Sequence, residues 1–291
     1  MEQFPDKLRN MTISENRITY DETCNNGLIV NDKYIPEELL STILCYIDHK
    51  TLVSCQIVCK RWNFLIKSYV WRKKAEITLG HALPVDESTM WAKYYFICDK
   101  KPFYKNLIIN NITTLFPNNW TILNFGGNGW AVECPPIGVP PLPEDPIFNG
   151  ENACFVTSYN KCLKVQVINL IEQGFSKYLL DNLQPIIKVS EYYSCRWDCP
   201  AVYNCTVQLL KEKLDSEELF ASYNYKKLLE HGDQNKWFKF EHEFRDYGKG
   251  LRSIKFIHGG QDTRYWSGHY GSKMAGASVI LELPEFPKSI D

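Results

Sequence analysis

Residues 35–71 read IPEELLSTILCYIDHKTLVSCQIVCKRWNFLIKSYVW, a pattern that predicts three short helices. Pro36 suits a first helical turn, where no backbone N–H is needed, and two glutamates follow it at the positive end of the helix. Apolar residues then recur at helical spacing on one wide face: Leu39, Leu40, Ile43, Leu44 and Ile47. A unit of about 40 residues cannot enclose so much apolar surface alone, so the excess predicts a docking surface.

The second and third predicted helices carry Leu52, Val58, Trp62 and Leu65 on their apolar sides. With its Ile-Pro-Glu-Glu-Leu-Leu start and its Val-Cys-Lys-Arg-Trp run, the stretch resembles the F-box, the module that binds the Skp adaptor of cullin-type ubiquitin ligases. The resemblance implies that the Skp adaptor and the cullin scaffold are partners. It also implies that these residues bind the adaptor: Pro36, Leu39, Leu40, Ile43, Leu44, Leu52, Val58 and Trp62. The alternative is a plain helical hairpin packed on its own domain.

The composition excludes a disordered chain and argues against nucleic-acid binding. The 291 residues are 44% hydrophobic and 14% aromatic, which is ample for a core in one or two domains. The formal net charge is -1, so no global basic field attracts phosphate backbones. We therefore expect no nucleic-acid partner.

The first residues contain no apolar segment typical of a signal peptide, and no apolar run of about 18 residues occurs anywhere in the chain. We expect no membrane span and a cytoplasmic protein. The 11 cysteines should then remain reduced thiols. Cys55 and Cys59, like Cys195 and Cys199, are four residues apart rather than in C-x-x-C pairs, so we expect neither a metal site nor a cofactor.

Composition and periodicity divide the chain into four parts. Residues 1–31 are polar and without periodicity, which predicts a flexible tail, and the F-box occupies residues 32–76. Residues 77–101 form a linker helix region, and residues 102–287 form the substrate-binding domain. The linker helix is predicted from four aromatic residues at spacings of three and four: Trp91, Tyr94, Tyr95 and Phe96.

From about residue 102 the period changes from helix to strand. Tyr203, Cys205 and Val207 alternate with polar residues, and Phe238 to Phe244 follow the same rule. Several similar runs are separated by glycine-rich stretches that predict turns: residues 126–129, 246–250 and 259–262. Many short strands with such turns predict an antiparallel β-sandwich.

Four motifs in this region carry a second resemblance: NFGGNGW at residues 124–130, VQVINL at 165–170, DYG at 246–248 and HGGQDTRYW at 258–266. They resemble the F-box-associated domain of F-box-only proteins that read N-linked glycans. The resemblance implies a jelly-roll-like sandwich of about ten strands and thus an α+β multi-domain fold, with the three-helix F-box first. It also implies that loops at one end hold the chitobiose core of high-mannose glycans on misfolded glycoproteins.

The resemblance assigns five glycan-binding residues. Tyr265 and Trp266 match the tyrosine and tryptophan of the sugar-contacting loop, and Asp198 falls on an aspartate of the family. Tyr159 stands where glycan-binding members place a phenylalanine. Ser267 departs from the pattern, because those members carry a lysine there, and weaker sugar binding is therefore expected.

The chemistry of these residues suits a sugar independently of the resemblance. A pyranose offers a face of C–H groups to an aromatic plane, which Trp266 and Tyr159 supply, and Asp198 can accept from its hydroxyls. The alternative is that Trp266 and Tyr265 are ordinary core residues. The loop predicted at residues 260–262 favours exposure.

We therefore expect a non-catalytic receptor subunit of a ubiquitin ligase that binds N-glycosylated client proteins. One alternative keeps the ligase and replaces the sugar with a protein surface. Another is a glycoside hydrolase, whose two carboxylates could come from Asp198, Glu243, Asp246 and Asp262. No G-x-S-x-G, H-E-x-x-H or P-loop motif occurs, and we expect no catalysis by this chain.

Overall fold

The structure, a computed structural model, describes residues 27–83, 91–99, 102–109, 119–213 and 216–284. The chain divides into two compact units, with the boundary between residues 99 and 100. The first unit is helical and the second is an antiparallel β-sandwich, so the predicted α+β fold class is confirmed. Residues 1–26 of the predicted tail lie outside the described residues.

The chain is already packed before the predicted F-box boundary at residue 32. Two short strands pair there, β1 (Ile29–Val30) and β2 (Lys33–Tyr34). The indole N–H of Trp62 donates to the carbonyl oxygen of Gly27 at 2.6 Å. A partly buried indole N–H needs such a partner, so residues 27–31, which the sequence assigns to the tail, belong to the helical unit.

The helices of the first unit are α1 (Glu37–Tyr46), α2 (His49–Cys55), α3 (Lys60–Leu65), α4 (Trp71–Leu79) and α5 (Trp91–Cys98). A π-helical turn at Ile66–Val70 joins α3 to α4 without a break, so the third predicted helix is longer than expected. It ends at Gly80, which has a φ of +77°. Three consecutive basic residues, 72–74, interrupt the apolar pattern and conceal this length in the sequence.

Local side-chain chemistry sets the starts of the helices. Pro36 precedes α1, and Glu37 and Glu38 lie in its first turn, where the helix dipole favours negative charge. Asp48 caps α2, because its Oδ1 accepts from the backbone N–H groups of Lys50 and Thr51 at 3.0 Å each.

The helix predicted from the aromatic spacing is present as α5. Trp71 is fully buried in the helical unit. The Trp91 ring stacks on it with 5.9 Å between centroids, and the Tyr95 ring meets it edge-on at 5.5 Å. These contacts make α5 part of the core of the first unit rather than a separate linker.

Within the residues that the structure describes, the sandwich has ten strands in two antiparallel five-stranded sheets. The strands are β3 (Thr121–Phe125), β4 (Ala131–Glu133), β5 (Cys154–Val156), β6 (Cys162–Asn169), β7 (Ile186–Ser194), β8 (Ala201–Lys213), β9 (Ser216–Leu229), β10 (Phe238–Phe244), β11 (Leu251–Asp262) and β12 (Lys273–Glu282). One sheet has the order β10-β7-β12-β5-β4 and the other β3-β6-β11-β8-β9. One short helix, α6 (Lys177–Asn182), precedes β7.

The alternation of apolar and polar residues correctly predicts strands that have one solvent-exposed face. In β8, Tyr203, Cys205 and Val207 are buried and the polar residues between them are partly exposed, while β10 has the predicted bounds. The longest described strand, β9, has the sequence SEELFASYNYKKLL and was not predicted, because the alternation is confined to residues 221–226 and charged residues lie on both sides of it. β9 lies at a sheet edge, where both faces tolerate polar side chains.

The turn predicted at residues 259–262 is wrong, because these residues complete β11. A Cβ atom on Gly259 would lie 1.9 Å from the carbonyl oxygen of Cys162, and one on Gly260 would lie 1.9 Å from that of Val202. The two glycines therefore permit the close approach of β6 and β8 to β11, which is a different use of glycine from a turn.

A cluster of buried polar side chains links the two sheets. Glu191 of β7 accepts from the Tyr203 hydroxyl at 2.5 Å and contacts Nδ1 of His258 at 2.6 Å. The Nζ atom of Lys164 lies 4.3 Å from the centroid of the Trp130 ring. Burial lowers the pKa of Lys164 and of His258 and raises that of Tyr203 well above its ordinary value. Removing one partner would leave the others unpaired in the core, which is costly.

Candidate functional site

Helix α1 presents two different faces. Leu40 and Leu44 are buried, whereas the side chains of Leu39 and Ile43 are 52% and 45% exposed. Pro36 is also exposed, and it precedes Leu39 and Ile43 at the spacings that place residues on one side of a helix. We call Pro36, Leu39 and Ile43 the outer face of α1.

The remaining residues predicted to bind the adaptor also divide by burial. Leu52 is fully buried, Val58 is exposed and Trp62 is half-buried. Leu52 therefore belongs to the core with the inner residues of α1, and only the others are accessible to a partner. The apolar pattern could not make this distinction, because positions 39, 40, 43 and 44 satisfy helical spacing on both faces. Sequence reasoning also missed several exposed apolar side chains of this unit: Tyr34, Tyr46, Ile57 and Phe64.

Four connections of the sandwich emerge at one end. Asp262, the last residue of β11, lies opposite Ala201, the first residue of β8. In the other sheet Ser194, the last residue of β7, lies opposite Lys273, the first of β12. Because β7 leads into β8 and β11 leads into β12, these two connections share one end of the sandwich. Val156, the last residue of β5, also lies opposite Lys273, and Phe125, the last of β3, lies opposite Cys162, the first of β6, so the connections after β3 and β5 are at the same end. We call residues 126–130, 157–161, 195–200 and 263–272 the loop end.

Side-chain hydrogen bonds tie three of these connections together. The hydroxyl of Ser158 accepts from the backbone N–H of Asn128 at 2.9 Å and donates to the carbonyl oxygen of Gly268 at 2.6 Å. The backbone N–H of Gly268 donates in turn to Oδ1 of Asn128 at 2.9 Å. These three bonds close a ring, which holds residues far apart in the sequence at fixed positions.

The connection after β11 presents its aromatic residues outward. Oδ1 of buried Asp262 accepts from the backbone N–H groups of Arg264 and Tyr265 at 2.8 and 2.5 Å. Tyr265 has a φ of +58°, and this turned backbone leaves Tyr265 and Trp266 66% and 42% exposed. Both aromatic residues are thus loop residues, not members of the sandwich core, and Ser267 beside them is exposed as well.

Asp198 is held by a neighbouring arginine. Nε and Nη2 of Arg196 donate to Oδ1 and Oδ2 of Asp198 at 2.8 Å each. These bonds hold the pKa of Asp198 below its ordinary value, so the carboxylate stays ionised. The Arg196 guanidinium lies 4.7 Å from the centroid of the Tyr270 ring, which meets Trp266 edge-on at 5.5 Å. Asp198 and Trp266 are therefore joined by a continuous chain of contacts.

Two further aromatic side chains belong to the loop end. Tyr159 is half-buried, and its ring lies against Gly127, where a Cβ atom would be 2.9 Å away. Trp197 is 64% exposed, and its backbone N–H donates to the carbonyl oxygen of Gly138 at 3.1 Å. Sequence reasoning gave no role to Trp197, although it lies between the charged residues Arg196 and Asp198. It also missed Asn128 and Tyr270, whose roles depend on contacts that no local pattern reveals.

All five residues predicted to bind glycan lie at the loop end: Tyr159, Asp198, Tyr265, Trp266 and Ser267. Exposed aromatic side chains are linked to an ionised carboxylate through Arg196 and Tyr270, and this combination suits a ligand with both C–H and hydroxyl groups. Within the described ranges, no group of three His, Cys, Asp or Glu residues could hold a metal ion.

Two family models match the chain. A model described as F-box-like matches residues 33–76, and the F-box associated region matches residues 98–281, which is more than half of the sequence. The chain belongs to the F-box only proteins. An F-box joins its protein to the Skp adaptor and the cullin scaffold, so membership of this family implies that partnership.

Several F-box only proteins are similar to the chain over most of its length. F-box only protein 2 of Bos taurus is 34% identical over 256 residues, which cover 85% of this chain and 83% of the relative. F-box only protein 6 of Homo sapiens is 31% identical over 256 residues, with the same coverage of 85% and 83%. F-box only protein 44 of Homo sapiens is 30% identical over 261 residues, covering 87% of this chain and 98% of the relative.

Among solved structures, the CBM22-1 xylan-binding domain from Paenibacillus barcinonensis has a TM-score of 0.34 at 12% identity, covering 62% of this F-box only protein and 97% of that chain. A likeness at this level does not bear on the ligand. No helix within the described residues is long and apolar enough to cross a membrane.

Proposed function

We propose that this F-box only protein is the substrate-recognition subunit of a Skp-cullin-F-box ubiquitin ligase and that its loop end binds N-linked high-mannose glycans. The ligand is the chitobiose core on misfolded glycoproteins in the cytoplasm. The exposed Trp266 at one end of a contact chain that leads to the ionised Asp198 is the observation that carries this proposal.

The chemistry of binding follows from the two kinds of surface that a sugar presents. The C–H face of an N-acetylglucosamine ring lies on the Trp266 indole, and the ring of Tyr159 contributes a second apolar surface. Asp198 retains lone pairs beyond the two that Arg196 occupies, and these accept from sugar hydroxyls. Ser267 donates one hydrogen bond at the position where the resemblance expects a lysine.

The adaptor binds the helical unit through the accessible residues. Leu39 and Ile43 on the outer face of α1 insert into an apolar surface of the Skp adaptor, and Val58 extends the contact. Many apolar side chains of this small unit are exposed, and burying them against the adaptor is favourable because it removes apolar surface from water. The buried leucines Leu40, Leu44 and Leu52 support this surface from below.

The protein acts by bringing its client close to a catalytic partner, which raises the effective concentration of the client. Two of the candidate carboxylates, Asp198 and Asp262, do not suit glycoside hydrolysis. A general acid needs a raised pKa, whereas Arg196 holds the pKa of Asp198 low. Asp262 is fully buried and engaged with two backbone N–H groups.

A second candidate keeps the ligase and replaces the sugar with a protein surface. It is favoured by Ser267, which supplies less sugar contact than a lysine, and by Trp197 and Tyr265, whose large exposed side chains resemble interface residues.

A glycan array probed with the purified full-length protein tests the proposal. We expect binding to glycans that contain chitobiose and none to glycans without it. Trp266→Ala should remove the signal. Absence of binding by both the wild type and Ser267→Lys, with both shown to be folded, would favour the protein-surface alternative.

A further inference from the structure

We propose that Arg196 is a positioning residue of the sugar-binding site, one that holds the carboxylate of Asp198 and the indole of Trp266 in a single fixed arrangement. The inference rests on the proposed glycan-binding function and assigns a role to a residue that contacts no sugar itself.

The guanidinium of Arg196 makes hydrogen bonds along its edge and contacts an aromatic ring with its face. Along its edge, Nε and Nη2 donate to the two oxygens of Asp198 at 2.8 Å each, which fixes the plane of the carboxylate. Its face lies 4.7 Å from the centroid of Tyr270, and that ring meets Trp266 at an interplanar angle of 86°. A shift of Arg196 would therefore move both the acceptor and the aromatic surface of the site.

The surroundings hold Arg196 itself in place. Its carbonyl oxygen accepts from Nε2 of Gln234 at 3.2 Å, and a Cβ atom on Gly138 would lie 3.1 Å from its Cγ atom. The side chains of Arg196 and Asp198 are only 17% and 21% exposed, so water competes weakly for their hydrogen bonds. The pair is thus a shielded unit that is linked to the exposed Trp266 through the Tyr270 ring.

Two other charged groups, Lys273 and Glu133, face the pair, and the lysine also favours the ionised carboxylate. Lys273 lowers the pKa of Asp198, although less than Arg196 does, and Glu133 faces Arg196 and pairs with Lys273. Lysine in place of Arg196 would keep the charge but lose the planar fork and the face that lies on Tyr270. The Asp198 carboxylate would then rotate freely, and its pKa would rise toward the ordinary value.

Arg252 offers a matched control. It forms an equivalent two-bond pair with Asp181, at 2.9 and 2.8 Å, and the two side chains are 15% and 23% exposed. Arg252 lies at the opposite end of β11 from Asp262, about 30 Å away at the rise of a β-strand. Arg252→Lys therefore removes the same kind of pair without touching the loop end.

The experiment is isothermal titration calorimetry of the full-length protein with N,N′-diacetylchitobiose, for the wild type, Arg196→Lys and Arg252→Lys. We expect Arg196→Lys to bind about tenfold more weakly and Arg252→Lys to bind like the wild type. Binding needs the ionised carboxylate, so affinity is present above the pKa of Asp198 and lost as the pH falls through it. Arg196→Lys should lose affinity at a higher pH than the wild type, a shift that a purely structural role would not produce.

Tyr270→Leu is a second variant, which leaves Arg196 and Asp198 paired and removes the ring between Arg196 and Trp266. It should weaken chitobiose binding without moving the pH profile, and it tests the inference even if Arg196→Lys does not fold. Wild-type affinity and an unchanged pH profile in folded Arg196→Lys, or wild-type affinity in Tyr270→Leu, would overturn the inference while glycan binding stands. Failure of both the wild type and Ser267→Lys to bind chitobiose would overturn the proposed function and this inference together.

Discussion

In the helical unit the exposed apolar side chains stand on a regular helix, whereas in the sandwich the exposed aromatic side chains stand on connections between strands. The outer face of α1 needs only helical geometry to align Leu39 with Ile43. The loop end depends on side-chain hydrogen bonds, among them the ring through Asn128, Ser158 and Gly268, to hold its connections in place.

This difference separates two ways of making a binding surface. A surface on a helix is organised by backbone hydrogen bonds that form regardless of the side chains, so single surface substitutions change its chemistry and leave its shape intact. A surface on loops is organised by polar side chains, so a substitution at a residue that touches no ligand can change its shape. The two surfaces should therefore respond differently to mutation.

The largest effect is expected at the outer face of α1. Replacing Leu39 and Ile43 together by glutamate should abolish co-purification with the Skp adaptor, a loss on the order of a hundredfold or more, because two charges would be buried unpaired at the interface. Thermal unfolding should change little, since both side chains are exposed. Leu44→Ala is the contrasting variant, and it should destabilise the unit by about 2–5 kcal/mol because Leu44 lies in the core. Adaptor binding by the double glutamate variant would contradict the assignment.

Trp266→Ala should have the next largest effect. Loss of the exposed indole should weaken binding to chitobiose by about 2 kcal/mol or more, with little change in the melting temperature. Trp120 is a matched control, because it is a buried tryptophan of the sandwich. Trp120→Ala should cost about 3–5 kcal/mol of stability. Calorimetric binding and differential scanning calorimetry on both variants measure the contrast, and a large stability loss in Trp266→Ala would remove Trp266 from the ligand surface.

Asn128→Ala tests whether the loop end depends on its hydrogen-bond ring. The variant loses the acceptor for Gly268, so the connection after β11 should become less ordered, and chitobiose affinity should fall about fivefold to tenfold. Hydrogen exchange of the Gly268 amide should become faster. Thr42→Ala is the control on α1, where loss of a side-chain hydrogen bond to Glu38 should leave adaptor affinity unchanged. Unchanged exchange and affinity in Asn128→Ala would mean that the strands alone position the loops.

The smallest effect is expected at Ser267. Ser267→Lys adds a longer donor beside Trp266 and should strengthen chitobiose binding by about 1 kcal/mol, one hydrogen bond, without a change in stability. Titration calorimetry against the same sugar measures the gain. Weaker binding than in the wild type would show that the serine is adapted to a different ligand.

In both units the sequence predicts the helices and strands better than it predicts which side chains form the binding surface. Helical spacing and strand alternation are local, so α1, β8 and β10 could be placed from their residues alone. The distinction between Leu39 and Leu40 depends on which face of α1 is buried against the rest of the helical unit. The role of Asn128 depends on Gly268, 140 residues later. The turn expected at residues 259–262 failed because glycine serves both turns and close strand packing.

Gly259 and Gly260 of β11 also limit where the sequence of this protein can change. Any side chain at Gly259 or Gly260 would collide with the backbone of a neighbouring strand, so replacement would push β6 or β8 away from β11. From Thr263 onward the chain is partly or fully exposed as far as Tyr270. Tolerance to substitution should therefore rise abruptly after Asp262. Gene duplicates that share this sandwich can thus diverge in ligand preference along the eight residues that follow, while the strands that carry those residues remain invariant.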